Sequence, residues 1–215
     1  MRYATGIFDP PWWETGGGKV KRGADRHYPL MKTGAIAALP VGALFEENAH
    51  MYLWATNNHL PDALEVLHAW GFRYVTCITW GKFDTVTGRM SAGLGQYFRG
   101  ATEQLLFGVR GNIPYRTNPE TGLRAQGKTL VHAPREEHSR KPEVFRQLVE
   151  KVSPGPYLEG FARRAAPGWD VWGNEAPGSI ALPSKHRHST KENGDCPHWC
   201  EACRVEELER DSVVI

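Results

Sequence analysis

The chain has 215 residues, of which 40% are hydrophobic and 11% aromatic, so it is long enough to bury the core of one α/β domain with a small appendage. Its formal net charge of +2 excludes a strongly basic protein that binds nucleic acid through overall charge alone. No hydrophobic run approaches the roughly 20 residues of a membrane-spanning helix, and the first residues lack the pattern of a signal peptide. We therefore expect a cytoplasmic protein that does not span a membrane.

Short β-rich segments alternate with helical patterns over most of the chain. In chain order they predict a strand at Tyr3–Phe8, a short helix at Thr33–Leu39, a strand at His50–Ala55, a helix at Leu60–Trp70, strands at Arg73–Trp80 and Gln104–Val109, a helix at Pro142–Val152 and a strand at Gly155–Ala162. Gly71 is a stop signal for the second helix, and Pro142 is a start signal for the third. This alternation favours a mainly parallel sheet with helices on both faces, an architecture that binds ligands at the carboxyl ends of its strands.

Three segments fit neither pattern and are predicted to be long loops: Trp13–Met31, Lys82–Ala101 and Gly111–Gly127. Residues 14–32 and 82–128 carry more Lys and Arg than Asp and Glu, which is typical of mobile basic loops that contact nucleic acid. A solvated loop surface without a partner explains the same charges equally well. After Pro183 the sequence becomes polar and loses its apolar periodicity, so we predict a main domain at residues 1–183 and a tail at residues 184–215.

The segment Ile7–Trp12 is an apolar strand that ends in an acid, two prolines and a tryptophan. Methylation of adenine is a chemistry that these residue types suit. The N6 amino group of adenine is a poor nucleophile, because its lone pair is delocalised into the ring. Hydrogen-bond acceptors aimed at its two N–H bonds would release that lone pair. Asp9 and the carbonyl of Pro10 can be these acceptors, since proline restricts both its own backbone and the residue before it. Trp12 offers a flat face to a base taken out of its stack. The alternative is a stiff turn after a strand, with no chemical role.

Further blocks of sequence make this motif more specific. They are Met51–Thr56, Trp70–Phe72, Thr102–Leu106, Gly108–Gly111, His138–Pro142, Tyr157–Arg164 and Gly168–Glu175. Together with the Asp9–Trp12 motif, they make residues 3–175 resemble the N6-adenine methyltransferases related to the eukaryotic messenger-RNA adenosine methylase. That family also has phage and bacterial members.

The resemblance implies a Rossmann-like, S-adenosylmethionine-dependent methyltransferase fold with permuted (beta-class) motif order, in which the catalytic strand precedes the cofactor strand. Residues 1–183 would then be the methyltransferase catalytic domain. The implied catalytic residues are Asp9, Pro10, Pro11 and Trp12. The implied cofactor-binding residues are Phe8, Lys141, Phe161, Arg163, Asn174 and Glu175. Tyr28 and Glu103 match positions near the substrate base, and Lys19 and Arg22 of the basic loop are further candidates for substrate contact.

Each implied cofactor contact suits the chemistry of its side chain. Lys141 can pair with the methionine carboxylate, Phe161 can form an apolar wall, and Arg163 with Asn174 can bind ribose hydroxyls. Glu175 can accept a hydrogen bond from the ribose or from the adenine amino group. For Arg163 and Glu175, a surface ion pair is the alternative.

Two positions depart from the pattern of the family. Gly160 stands where a larger apolar residue is usual, and because it lies in the last predicted strand we expect it to alter packing rather than chemistry. The Gly16–Gly18 run lengthens the loop after Trp13, which would change how a substrate is gripped.

The tail contains Cys196, Cys200 and Cys203 with His198 between the first two, a set that can complete a tetrahedral zinc site. A metal would give a short polar segment a reason to fold. The fourth ligand is ambiguous, since the histidines at positions 186 and 188 lie upstream, and an accidental cluster in a disordered tail is the alternative. Cys77 lies in an apolar strand and is predicted to be a small core residue.

The resemblance favours an enzyme that methylates adenine in DNA, because small free-standing members of the family without extra RNA-binding domains suggest a phage or bacterial setting. The alternatives are an RNA adenosine methyltransferase and a catalytically silent scaffold that binds nucleic acid. The basic loops do not separate DNA from RNA, because both polymers attract the same cations. Asp9 and Lys141 weigh against the scaffold, because a catalytically silent protein has no chemical need for either residue. A homodimer is a candidate state, because related enzymes often form dimers.

Overall fold

The computed structural model describes residues 2–13, 30–93, 97–114, 116–135, 140–173 and 176–183. Its strands are β1 (Tyr3–Phe8), β2 (Phe45–Ala55), β3 (Arg73–Phe83), β4 (Thr102–Arg110), β5 (Leu130–Pro134), β6 (Tyr157–Gly160) and β7 (Trp169–Trp172). Its α-helices are α1 (Thr33–Ala37), α2 (Leu60–Ala69) and α3 (Glu143–Val152), with short 3-10 turns at Pro40–Leu44 and Asn57–His59. Every predicted helix and strand is present: β1 has the predicted ends, and the others differ from the prediction at one or both ends. Strands β5 and β7 are additional to the prediction.

The seven strands form one sheet in the order β5-β3-β4-β2-β1-β6-β7. Strand β4 runs antiparallel to both of its neighbours, β3 and β2, whereas the other pairings are parallel. The mainly parallel sheet of a Rossmann-like fold is therefore confirmed. Strand β1, which leads into the Asp9–Trp12 motif, comes first in the chain and lies in the sheet beside the much later β6, as the permuted motif order implies.

Helices cover both faces of the sheet because the central strands are apolar on both sides. On one face, Phe8 packs in a cluster with Ile36 of α1 and Leu67 of α2. On the other face, Ile7 belongs to a cluster that contains Phe145 of α3. The alternation of neighbouring residues between the two clusters places the core on both sides of β1 and β2.

A glycine marks the end of one of the two longer helices, and a proline marks the start of the other. Helix α2 ends where Gly71 takes a positive φ of 81°, and the Gly71 and Phe72 N–H groups donate to the carbonyls of His68 and Leu67. Helix α3 begins after Pro142, whose extended backbone positions the preceding Lys141 at the entry to the helix. Within the described parts of the chain, no helix has the length and apolar character needed to cross a membrane.

Candidate active site

The ends of β1 and β6 create the site, because neighbouring parallel strands end at the same edge of the sheet. Phe8 is paired with Gly160 across these strands, and the Asp9 N–H donates to the Gly160 carbonyl at 3.3 Å. A cavity of about 560 Å³ opens at this edge, and its lining includes Asp9, Lys141 and Phe161. The volume lies in the range of roughly 300–1,000 Å³ that small-molecule sites occupy.

Lys141 connects two acidic side chains at the mouth of this cavity. Its Nζ lies 2.7 Å from Asp9 Oδ2 and 3.3 Å from Glu103 Oε2. Glu103 Oε1 in turn lies 2.6 Å from Lys82 Nζ, at the end of β3. Cations and carboxyl groups alternate in this cluster, and each member is at least half-buried. Burial raises the pKa of Asp9 above its ordinary value in spite of the nearby Lys141 ammonium.

The ion pairs shift the pKa values of Lys141 and Glu103 in opposite directions. Burial alone would lower the pKa of Lys141, but the carboxylates of Asp9 and Glu103 outweigh it and raise that pKa. Burial alone would raise the pKa of Glu103, but the ammonium groups of Lys141 and Lys82 outweigh it and lower that pKa. Both groups are therefore charged at neutral pH.

The backbone of the Asp9–Trp12 motif is held by hydrogen bonds on both sides. The Pro10 carbonyl accepts the Trp12 N–H at 2.9 Å, and the Pro11 carbonyl accepts the Met31 N–H at 2.8 Å. A carbonyl oxygen has a second lone pair, so the Pro10 oxygen keeps capacity for a further donor. The motif is thus a fixed turn that presents Asp9 at the strand end.

Trp12 packs inward in this structure. Its side chain is 7% exposed, its Nε1 donates to the Trp54 carbonyl at 3.0 Å, and its ring stacks on His59 with 5.7 Å between centroids. His59 Nδ1 contacts Asp62 Oδ2 at 3.1 Å, which ties this stack to α2. In this conformation the indole anchors the turn and does not offer an open face, and its use as a platform for a base stays a prediction.

Phe161 and Gly160 shape the wall of the cavity at the end of β6. Phe161 has a positive φ of 58°, an uncommon backbone conformation for a bulky residue. Its ring packs edge-on against Trp172 at 4.7 Å and Phe8 at 6.3 Å between centroids. A Cβ on Gly160 would lie 2.2 Å from ring atoms of Phe8, so the small residue makes room for that ring.

The structure brings together the described part of the implied site. Phe8, Asp9, Lys141, Phe161 and Arg163 line the cavity, and Glu103 joins them through Lys141. The remaining implied residues lie outside the described residues: Lys19, Arg22, Tyr28, Asn174, Glu175, Cys196, His198, Cys200 and Cys203. Among the described residues no cluster of His, Cys, Asp or Glu can hold a metal ion, so the zinc site stays a prediction for the tail.

Sequence reasoning missed three contributors to the site. Lys82 holds Glu103, His59 supports Trp12, and Arg146 lies against the cavity with its guanidinium 2.8 Å from Glu159 Oε2. The position of Lys82 at the end of an apolar strand was the one available signal. His59 and Arg146 gave none, because their partners are set by packing between elements. Cys77 lies half-buried in β3.

Comparison with known proteins agrees with the resemblance seen in the sequence. The profile of the MT-A70 family matches residues 3–175. The type II methyltransferase M.MunI of Mycoplasma sp is 28% identical over 161 residues, which are 74% of this chain and 64% of that protein. Human METTL4, an N(6)-adenine-specific methyltransferase, is 31% identical over 79% of this chain and 36% of its own length. Human METTL3, the catalytic subunit of an N(6)-adenosine-methyltransferase, is 25% identical over 82% of this chain and 29% of its own length.

The chain therefore spans less than two thirds of the length of each of these relatives. The matched region nevertheless runs from the first residue of β1 beyond the end of β7, so it contains the whole described sheet and every described residue of the site. Because the family match covers most of the sequence, the chain belongs to the MT-A70 family.

Proposed function

We propose that this protein is an S-adenosylmethionine-dependent methyltransferase that transfers a methyl group to the N6 amino group of an adenine in DNA. The observation that carries the proposal is the position of Asp9 at the end of β1, held by Lys141 at the mouth of a cavity that β1 shares with β6. The membership of the MT-A70 family supports it.

The cavity suits the cofactor that the family implies. S-adenosylmethionine, when bound, supplies an activated methyl group on sulfur. Phe161 offers the apolar part of the wall, and Arg163 and Glu159 offer polar groups for hydroxyls and amines. Lys141 already engages two carboxylates, so a third carboxylate would share its ammonium or use the guanidinium groups of the same lining, such as that of Arg140.

On the substrate side, Asp9 and Pro10 provide the two acceptors that an amino group needs. Lys141 pairs with Asp9 Oδ2, which leaves Oδ1 to accept one N–H of the adenine. The Pro10 carbonyl, whose direction is set by its bond to the Trp12 N–H, accepts the other. These two contacts draw the nitrogen lone pair out of the ring, and the fixed turn supplies orientation without a metal or a covalent intermediate on the protein.

We choose DNA over RNA as the substrate because the chain is similar to M.MunI, a type II methyltransferase of Mycoplasma sp. M.MunI, the bacterial relative, has the largest share of its length covered. RNA is the alternative substrate.

The test is transfer of labelled methyl from S-adenosylmethionine to matched DNA and RNA oligonucleotides. We expect N6-methyladenine in DNA, and a loss of roughly 100-fold or more in the Asp9→Asn variant, because the amide keeps the shape but replaces one acceptor oxygen by a donor. Asp170→Asn, the same change on β7 outside the cavity lining, is the matched control and should retain activity. Transfer to RNA alone would overturn the choice of polymer. The absence of both methyl transfer and cofactor binding would contradict the enzyme and favour a catalytically silent scaffold that binds nucleic acid.

A further inference from the structure

The loop between β3 and β4 carries two neighbouring aromatic rings in solvent. Tyr97 is 92% exposed and Phe98 is 91% exposed, so neither ring contributes to the core. Single exposed apolar residues are ordinary, but adjacent aromatic rings that are almost fully exposed are a feature of binding surfaces. The fold itself gives no reason for them.

The base of this loop is attached to the edge of the sheet that holds the candidate active site. The Ser91 N–H donates to the Lys82 carbonyl at 2.9 Å, and the Lys82 N–H donates to the Ala101 carbonyl at 3.0 Å. The side chain of the same Lys82 pairs with Glu103, which contacts Lys141. The aromatic rings therefore project from the edge at which Asp9 lies.

Arg99 fixes the shape of the loop next to the rings and adds charge. Its Nε donates to the Gly93 carbonyl at 3.0 Å and its Nη2 to the Ala92 carbonyl at 3.3 Å. These acceptors are neutral, so they do not cancel the positive charge of the guanidinium. Arg89 adds a second cation, and Asp84 is the acid in the same loop. Because these hydrogen bonds hold Arg99 in place, it loses little conformational entropy when it binds.

We propose that Tyr97 and Phe98 stack on unpaired bases that flank the target adenine, with Arg99 beside the phosphate backbone. This inference rests on the proposed function and narrows its substrate to single-stranded or locally opened DNA. Inside a duplex the faces of the bases are covered by their neighbours, whereas an unpaired strand leaves them open to aromatic side chains. The positive charge of the loop favours a polyanion over an apolar partner protein.

The test measures binding of a single-stranded DNA oligonucleotide that carries 2-aminopurine next to the target adenine, without cofactor and without turnover. Stacking on an aromatic ring quenches the fluorescence of 2-aminopurine. The Tyr97→Leu/Phe98→Leu double variant keeps apolar side chains of moderate size but removes both π faces. We expect it to raise the Kd by about ten-fold or more and to abolish the quenching. Tyr74→Leu, at the other end of β3, is the matched control and should leave both unchanged.

Several outcomes separate this inference from the proposed function. Unchanged affinity and quenching in the double variant would overturn the stacking role, as would a wild-type protein that binds the duplex as tightly as the single strand. If sedimentation shows that the double variant loses self-association while DNA affinity is retained, the rings form a protein interface and the inference is wrong. Intact quenching without methyl transfer to any polymer would contradict the proposed function but support the stacking role of Tyr97 and Phe98.

Discussion

Replacement of Gly160 by alanine tests whether the packing at the end of β6 is as tight as the structure shows. The added Cβ would lie 2.2 Å from Cδ1 and Cε1 of Phe8, whereas carbon atoms pack at about 3.5–4.0 Å. The Phe8 ring is fully buried and has little room to move, since the rings of Trp70, Phe45 and Phe161 surround it at centroid distances of 5.2, 6.1 and 6.3 Å. Overpacking of this kind costs about 1–3 kcal/mol.

For a chain of this size, each kcal/mol corresponds to roughly 2–4 °C in Tm, so Gly160→Ala should melt roughly 2–12 °C below the wild type. Circular dichroism or calorimetry gives the Tm, and methyl transfer measured well below the transition gives kcat. We expect the Tm to fall, and the Tm alone reports the packing because Gly160 also lines the cavity. The Phe8→Leu/Gly160→Ala double variant, with a smaller side chain opposite the new methyl group, should be less destabilised than the sum of the two single variants.

Gly34→Ala is the control for this experiment. A Cβ at that position meets nothing within 4 Å, and alanine is favoured over glycine in a helix such as α1 by about 0.5–1 kcal/mol. Its Tm should equal or exceed that of the wild type. A Gly160→Ala protein that melts together with the wild type would refute the packing described for Phe8.

Three further predictions concern buried ionisable groups. In the Lys82→Met variant, the pKa of Glu103 in the folded protein should be depressed less than in the wild type. Glu103 then contributes less stability at pH values above its unfolded pKa, and this contribution is lost at a higher pH on acidification. The cost at neutral pH should be less than the roughly 3–5 kcal/mol of an orphaned buried charge, because Lys141 remains. Burial lowers the pKa of His50 from 6.5 to about 4, so the free energy of unfolding should fall as pH drops through that window, and His50→Gln should flatten this dependence. Arg110→Lys should cost about 2 kcal/mol or more, because one guanidinium donates to three backbone carbonyls.

Urea unfolding at several pH values checks all three. Lys82→Arg keeps the charge, and equal acid sensitivity in the Met and Arg variants would contradict the role given to Lys82. A His50→Gln protein with the wild-type pH slope would assign that slope to another group. Wild-type stability of Arg110→Lys would mean that the carbonyls find other donors.

Local pattern predicted the elements whose signals are strongest. Strand β1 and helix α2 were found because one is a short apolar run and the other has apolar residues at helical spacing before Gly71. Strand β5 was missed because it is five residues long, ends in Pro134 and has little buried surface. Strand β7 was missed because its four residues are too few for a periodic signal.

The contacts of the site depend on information that local pattern does not contain. Asp9 and Lys141 are 132 residues apart, and only the resemblance to a family assigns both of them to one site. The pairing of Lys82 with Glu103 depends on the register in which Trp80 lies opposite Glu103 across β3 and β4. That register follows from the whole sheet and is not written in either strand alone.

The left-handed backbone of Phe161 shows that its ring is worth more to this chain than a relaxed backbone. A bulky residue in that region carries about 1–2 kcal/mol that glycine would not. The packing of the ring on Trp172 and Phe8 outweighs that strain, because truncation of a buried phenylalanine costs about 3–5 kcal/mol. Selection for heat resistance should therefore retain Phe161, and with it one wall of the cavity.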